Sequence, residues 1–305
     1  MTTFSRPDSA LLSGAVIDVS ELVSLRAAHG SRLILLDASV PPVVPGYESL
    51  NSALADASWQ IIPGARRFDY DTRVCDPDAS LPHMMPTPER FEREARSLGI
   101  NNDSIIVTYD DVGLYASPRA WWMFCAMGHR NVAVLDGGLR AWIAAGQDTE
   151  SVGADWRAGK TANAESYAAG DYTARPMPAA FVDSTEVANA LTANNTRVLD
   201  ARSTARFNAE APEPRPGVRG GHMPGAISFP FPRVLNGGTL KPRAELVDEF
   251  ATVASATDRL VTSCGSGLTA CVLTLGAAVA GYDSLSVYDG SWADWGSDLS
   301  LPVES

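Results

Sequence analysis

Short apolar runs recur along the chain and are bounded by Asp, Gly and other turn-forming residues. They do not alternate apolar with polar positions, as is typical of parallel strands buried on both faces. Stretches with helical spacing lie between them, and Thr87 and Pro88 are expected to open one as N-cap and first helical residue. Strands that alternate with helices predict an α/β fold in which helices cover both faces of a parallel sheet. The runs are LILL (33–36), SIIVTY (104–109), VAVL (132–135), LVTS (260–263) and LSVY (285–288).

The chain contains an internal repeat whose period is close to half its length. Four motifs of the first half occur again, in the same order, in the second half. The matched pairs are LILLDA (33–38) with RVLDAR (197–202), IIPGARRFD (61–69) with HMPGAISFP (222–230), SIIVTYDDVGL (104–114) with RLVTSCGSGL (259–268), and VAVLDGGLRAW (132–142) with LSVYDGSWADW (285–295). The repeat predicts a duplicated domain, with domain 1 over 14–146 and domain 2 over 179–298. The segment 147–178 is rich in Ala, Gly, Ser and Asn and is predicted to be the linker.

Composition and charge narrow the possible partners. The 305 residues are 45% hydrophobic and 20% charged, which is typical of an ordinary globular protein. A formal net charge of −12 is the opposite of the basic surface expected of a nucleic-acid-binding protein or of a protein held to an anionic membrane. No stretch resembles a signal peptide or a membrane span. The four cysteines form no CxxC pair, which favours reduced thiols and a cytoplasmic protein.

The two copies differ most informatively at the end of their third motif, where Asp110 in the first aligns with Cys264 in the second. Cys264 is therefore predicted at the carboxyl end of a parallel strand, the edge at which open α/β sheets bind ligands. The loop GSGL (265–268) follows and leads into a predicted helix. Backbone N–H groups of such a loop, together with the helix dipole, favour the thiolate form of a cysteine. Cys264 is thus the candidate nucleophile, and the first copy is expected to be catalytically silent.

The duplicated layout and the motifs LDAR, GHMPGA, CGSGLTA and YDGSWADW resemble the tandem-domain rhodaneses, in particular their mercaptopyruvate sulfurtransferase branch. The similarity runs from about Ile17 to Trp295. Family members that prefer thiosulfate tend to carry basic residues directly after the cysteine, where this chain has Gly265 and Ser266. The resemblance implies two rhodanese-like domains. It also implies an enzyme that moves sulfur from 3-mercaptopyruvate through a Cys264 persulfide to a thiol or cyanide acceptor and releases pyruvate.

The resemblance further implies a set of substrate-binding residues. Arg206 and Arg215 match the arginines that bind the substrate carboxylate in the family, a task for which the planar guanidinium group is well suited. The insertion that contains Arg215, EAPEPRPG (210–217), is typical of the mercaptopyruvate branch. The loop residues expected to line the substrate site are Gly265, Gly267, Leu268 and Thr269.

A proton donor is also implied, because the enolate of pyruvate that leaves in this reaction must be protonated. The family suggests a Ser–His–Asp relay for this step, with the His and the Asp supplied by the first copy. By motif, the relay corresponds to Ser266, to His83 in LPHMMP and to Asp71 in FDYD.

Several alternatives remain open from the residues. The string GSGLTA (265–270), followed by Asp289, fits a dinucleotide-binding fingerprint, but it starts directly after a cysteine and too little chain follows it to complete a nucleotide-binding half. A cysteine phosphatase is disfavoured, because it would need Arg at the position of Ala270. Thiosulfate is an alternative donor, and a non-catalytic persulfide carrier is an alternative function. No metal or other cofactor is expected. The expected partners are a small anionic sulfur donor and a thiol acceptor such as thioredoxin or glutathione, without nucleic acid or membrane.

Overall fold

A computed structural model describes residues 11–41, 59–157 and 167–305. The described residues form two compact units. The N-terminal unit comprises the described part of Arg6–Pro77 together with Pro86–Pro176, and the C-terminal unit comprises Asp78–Met85 and Met177–Ser305. None of the helices within the described ranges has the length and apolar character needed to cross a membrane.

The N-terminal unit is built on a five-stranded sheet with the order β1-β6-β5-β2-β4, in which all neighbours are parallel. A separate antiparallel pair joins β3 to β7. The strands are β1 (Val16–Ile17), β2 (Leu33–Asp37), β3 (Trp59–Ile61), β4 (Arg66–Arg67), β5 (Ile105–Tyr109), β6 (Val132–Leu135) and β7 (Glu150–Val152). The helices are α1 (Val19–His29), α2 (Pro88–Ser97), α3 (Ser117–Ala126), α4 (Gly138–Ala144) and α5 (Ala154–Arg157).

Helices cover both faces of this sheet. Leu22 of α1 and Trp142 of α4 belong to the apolar cluster that packs on one face of β5, together with Val107. On the other face, the Thr108 hydroxyl donates to the carbonyl oxygen of Ser117, at the start of α3. The predicted start of α2 is confirmed, because the Thr87 side chain accepts a hydrogen bond from the first turn and proline follows at the first helical position.

The C-terminal unit repeats this architecture, with the order β10-β9-β13-β14-β8 and parallel neighbours throughout. A short hairpin pairs β11 with β12. The strands are β8 (Phe181–Val182), β9 (Thr196–Asp200), β10 (Ile227–Ser228), β11 (Leu235–Asn236), β12 (Thr239–Leu240), β13 (Arg259–Ser263) and β14 (Leu285–Tyr288). The helices are α6 (Ser184–Leu191), α7 (Thr204–Phe207), α8 (Arg243–Ala251), α9 (Ala270–Ala280) and α10 (Ser291–Trp295).

The alternating residues of β13 face opposite layers of this unit. Val261 packs with Val187 of α6 and Trp292 of α10 in one apolar cluster. Thr262 points to the other layer and forms a hydrogen bond with Thr274 of α9 at 2.8 Å. The predicted fold class, two parallel sheets that each carry helices on both faces, is therefore confirmed. In each unit the central strand ends at the position where the repeats differ, Asp110 after β5 and Cys264 after β13.

The segment predicted to be a linker, 147–178, belongs to the N-terminal unit in its described residues up to Pro176. Its β7 pairs with β3, and the Tyr172 ring packs against the rings of Phe91 and Phe124, with centroid distances of 5.8 and 6.1 Å. The Tyr172 hydroxyl also donates to the carbonyl oxygen of Met127 at 2.9 Å. Large side chains such as Tyr172 anchor this segment to the unit. They are few among many small residues, so the overall composition of the segment does not predict this packing.

Candidate active site

Cys264 lies at the end of the central strand of the C-terminal sheet and is 2% exposed. Its backbone is held by the start of α10. The Cys264 N–H donates to the Ser291 hydroxyl oxygen at 3.1 Å, and the Cys264 carbonyl accepts the Trp292 N–H at 3.0 Å. These backbone hydrogen bonds fix the position of the Cys264 Cα atom. The thiol group takes no part in them.

Ser291 adopts a strained backbone conformation in this role. Its φ is +52°, in the left-handed region, where the matching residue of the first copy is Gly138 with φ +55°. A side chain there costs about 1–3 kcal/mol of backbone strain. The Ser291 hydroxyl offsets part of that cost, because it donates to the Tyr288 carbonyl at 2.8 Å while it accepts the Cys264 N–H. Ser291 is not among the residues predicted from the sequence, although the alignment of DGG with DGS in the fourth repeated motif is a signal for it.

The loop after Asp110 shows what this backbone shape binds. The Asp110 carboxylate, which is completely buried, accepts the N–H groups of Val112, Tyr115, Ala116 and Ser117 at 2.8–3.1 Å. It also accepts the hydroxyl of Ser117 at 2.7 Å. In the first copy, the backbone N–H groups of this loop therefore surround a carboxylate that the loop itself supplies.

The C-terminal unit has the same loop without the carboxylate. Ser266 and Thr269 match Val112 and Tyr115 in the repeat, and within the described ranges their N–H groups donate to no protein acceptor. Both residues are buried. Because buried N–H groups are nearly always paired, this arrangement suits an anion that arrives next to Cys264.

Asp110→Asn is expected to lower the free energy of unfolding by about 2–3 kcal/mol, because the amide cannot accept all five hydrogen bonds and directs its own N–H groups at donors. The measurement is a urea unfolding curve of the purified variant. Asp103→Asn serves as the matched control, since the Asp103 carboxylate lies on the surface in an exposed ion pair with Arg32. Equal unfolding midpoints for the two variants would show that the Asp110 carboxylate does not hold this loop.

The structure brings both predicted arginines to the Cys264 loop. A Cβ atom placed on Gly265 would lie 3.3 Å from Nη2 of Arg206 and 3.9 Å from Nη1 of Arg215. Arg206 comes from α7 and is buried, whereas Arg215 belongs to the insertion and is half-buried. Arg215 also lines an open cleft of about 800 Å³. The predicted substrate residues Gly267, Leu268 and Thr269 lie in the same loop, and Gly267 has φ +75°.

The two arginines differ in their pairing. Nε and Nη2 of Arg206 both donate to the Glu213 carboxylate, at 3.1 and 2.5 Å. Glu213 also accepts Nη1 of Arg202 at 2.8 Å, and Arg202 is bound to Asp200 at 2.6 Å. Arg215 forms no hydrogen bond or ion pair with any residue that the structure describes. Both arginines were expected at the site from the family resemblance, whereas the contact between Glu213 and Arg206 was not expected.

Burial alone would lower the pKa of Arg202, but the neighbouring carboxylates of Asp200 and Glu213 outweigh it and raise that pKa. The Arg202 guanidinium also lies over the Trp292 ring, 4.3 Å from its centroid. Arg202 is therefore a permanently charged centre of this cluster, and it links β9, the insertion and α10.

The residues of the predicted relay fall in different units. Ser266 and His83 belong to the C-terminal unit, whereas Asp71 belongs to the N-terminal unit, where it is exposed. His83 has φ +62°. Its segment, Asp78–Met85, is anchored by a hydrogen bond from the Met85 N–H to the buried Asp289 carboxylate at 2.8 Å. The relay itself stays a prediction.

Comparison with known proteins decides the family. The model of the rhodanese-like domain matches residues 21–145 and again 183–298. The chain belongs to the rhodanese family. This rhodanese is 38% identical to the 3-mercaptopyruvate sulfurtransferase of Escherichia coli (strain K12), over 85% of this chain and 88% of the relative. It is 39% identical to the mitochondrial thiosulfate/3-mercaptopyruvate sulfurtransferase 1 of Arabidopsis thaliana, over 83% of this chain and 73% of the relative.

A solved structure supports the same assignment. The crystal structure of SseA from Escherichia coli, described as having the rhodanese fold and the catalytic mechanism of 3-mercaptopyruvate sulfurtransferases, is 33% identical to this rhodanese. It superposes with a TM-score of 0.74 and covers 92% of this chain and 99% of SseA. The two rhodanese-like domains expected from the resemblance are thus confirmed.

Proposed function

We propose that this rhodanese is a 3-mercaptopyruvate sulfurtransferase that carries sulfur on Cys264. The Cys264 thiolate attacks the sulfur of 3-mercaptopyruvate, and an S–S bond forms while the C–S bond of the donor breaks. The electron pair of that C–S bond passes to the pyruvate enolate, which takes up a proton and leaves as pyruvate. The persulfide sulfur then moves to a thiol or to cyanide, and Cys264 is restored.

One observation carries this proposal. A cysteine lies at the position where the first copy holds a carboxylate, inside a loop whose Ser266 and Thr269 N–H groups have no described protein acceptor. Arg215 lies next to the same loop, without a partner among the described residues. The site therefore offers a nucleophile, donors for an anionic persulfide, and a cation for a carboxylate.

We assign the remaining roles on the same basis. Arg215 binds the donor carboxylate, Arg206 supports it, and the backbone of Gly265, Gly267, Leu268 and Thr269 surrounds the sulfur. Ser266 protonates the enolate with the help of His83, which belongs to the same unit. The names of the relatives support the choice of 3-mercaptopyruvate as donor.

We further propose a cytoplasmic location and a thiol acceptor such as thioredoxin or glutathione. All four cysteines are free thiols in the structure, which fits a reducing compartment. The cleft that Arg215 lines has a volume of about 800 Å³ and is formed by residues of the insertion and by residues 303–305, so it has room for a small thiol beside Arg215.

Mass spectrometry of the intact protein after brief exposure to each donor tests the proposal. Exposure to 3-mercaptopyruvate is expected to add one sulfur atom, which peptide mapping locates on Cys264, and pyruvate is expected in equal amount. Thiosulfate is the second candidate donor, because the Arabidopsis thaliana relative is named for both donors. Faster loading from thiosulfate would replace 3-mercaptopyruvate as the donor, and no loading from either would contradict sulfur transfer.

A further inference from the structure

We propose that Glu213 determines the donor preference of the site by cancelling the charge of Arg206. The inference rests on the proposed function and adds a specificity-determining residue to it. Glu213 belongs to the insertion, between Pro212 and Pro214. Two prolines restrict the backbone on both sides of the carboxylate, so its position is fixed before any donor arrives.

The contacts of Glu213 form a closed cluster. Its carboxylate binds Arg206 through two hydrogen bonds and Arg202 through a third, and Asp200 binds the other edge of Arg202. We call these four residues the Glu213 cluster. The side chains of Asp200 and Arg202 are fully buried, and those of Glu213 and Arg206 are 4% and 5% exposed. Solvent therefore screens these charges weakly.

The charges of the Glu213 cluster balance, because it contains two carboxylates and two guanidinium groups. Arg206 reaches the Cys264 loop, since its Nη2 would lie 3.3 Å from a Cβ on Gly265, but it arrives with its charge compensated. Arg215 alone contributes an uncompensated positive charge among these residues. The described site therefore matches a donor with one negative charge better than a donor with two.

The two candidate donors differ in this respect. 3-Mercaptopyruvate carries one carboxylate charge when its thiol is protonated, whereas thiosulfate is a dianion at neutral pH. A second negative charge on the donor would find a second cation in the site only if no carboxylate neutralised the charge of Arg206. Removing the charge of Glu213 creates that cation, because Arg202 keeps Asp200 as its partner. The effect of the change is thus larger for the dianion than for the monoanion.

Glu213→Gln tests the inference. It keeps the size of the side chain and its hydrogen bonds in part, and it removes one charge. The ratio of kcat/KM for thiosulfate to kcat/KM for 3-mercaptopyruvate is expected to rise about tenfold or more. Glu213→Asp, which restores the charge, is expected to return the ratio toward that of the unmodified protein. A purely structural role would lower both values of kcat/KM together and leave the ratio unchanged, and that result would overturn the inference.

Glu210→Gln is the matched control, because it makes the same change in net charge three residues earlier in the same insertion. The Glu210 side chain is exposed and contacts Asn208 rather than Arg206, so its ratio is expected to stay within about twofold of the unmodified protein. An equal rise in both variants would assign the effect to overall charge and would overturn the role of Glu213.

A binding measurement separates this inference from the proposed function. Pyruvate and sulfate are tested as a monoanion and a dianion that protect Cys264 from alkylation by iodoacetamide. Glu213→Gln is expected to strengthen protection by sulfate about tenfold more than protection by pyruvate. This result would support the role of Glu213 even if the unmodified protein took no sulfur from 3-mercaptopyruvate, whereas equal changes for both anions would refute it.

Discussion

Cys264→Ser is expected to lower sulfur transfer by a factor of about 10⁴ or more, the scale seen when a nucleophile is removed from a covalent mechanism. A serine hydroxyl is close in size to the thiol but forms no persulfide. The fold is expected to survive, because the bonds that hold this residue come from its backbone N–H and carbonyl. Both bonds are available to serine.

Steady-state release of pyruvate from 3-mercaptopyruvate measures the loss, and the urea unfolding curve checks the fold. Cys125→Ala is the control, because Cys125 lies in α3 of the N-terminal unit. This variant is expected to transfer sulfur at a rate within about twofold of that of the unmodified protein, although the loss of packing around Cys125 lowers the free energy of unfolding. If Cys264→Ser kept measurable turnover while Cys125→Ala lost it, the nucleophile would have to be assigned elsewhere.

Arg215→Ala is expected to lower kcat/KM for 3-mercaptopyruvate by about 10²-fold or more, because a desolvated carboxylate loses its charged partner. Arg206 cannot replace it, since both of its donors that face Glu213 are already occupied. Arg215 itself has no partner to release among the described residues, so the change is expected to leave stability nearly unchanged.

Two further variants make this test specific. Arg215→Lys restores the charge without the planar pair of donors and is expected to recover only part of the loss. Arg197→Ala removes an arginine of β9 that contacts Asp258 and the carbonyl of Asn194, and it is expected to keep kcat/KM within about twofold. A full recovery by lysine would reduce the role of Arg215 to its charge, and an equal loss in Arg197→Ala would remove its role in binding.

The sequence predicts the sheets of this protein well because their signal is local. Buried parallel strands such as β5 and β13 are continuous apolar runs, and the repeat identifies each of them twice. The same comparison isolates Cys264, since only one copy has a cysteine at the end of its central strand. Arg206 and Arg215 are different, because no local pattern distinguishes them from surface arginines and only the family resemblance selects them.

What the sequence does not predict depends on contacts between distant residues. Nothing in the sequence distinguishes Glu213 from the other acidic residues of its proline-rich segment. Its hydrogen bonds to Arg202 and Arg206 exist only in the folded unit. Ser291 is in a left-handed conformation that an amino acid other than glycine rarely adopts. Tyr172 lies in a segment of small and polar residues, yet it packs on two aromatic rings. In each case tertiary structure outweighs local composition.

The membership of Asp78–Met85 in the C-terminal unit bears on how this duplicated gene can evolve. A shortened gene that encoded only the second copy would lack this segment, and the Asp289 carboxylate would lose the N–H of Met85. A C-terminal unit produced alone would therefore keep this hydrogen bond only if residues 78–85 were supplied with it.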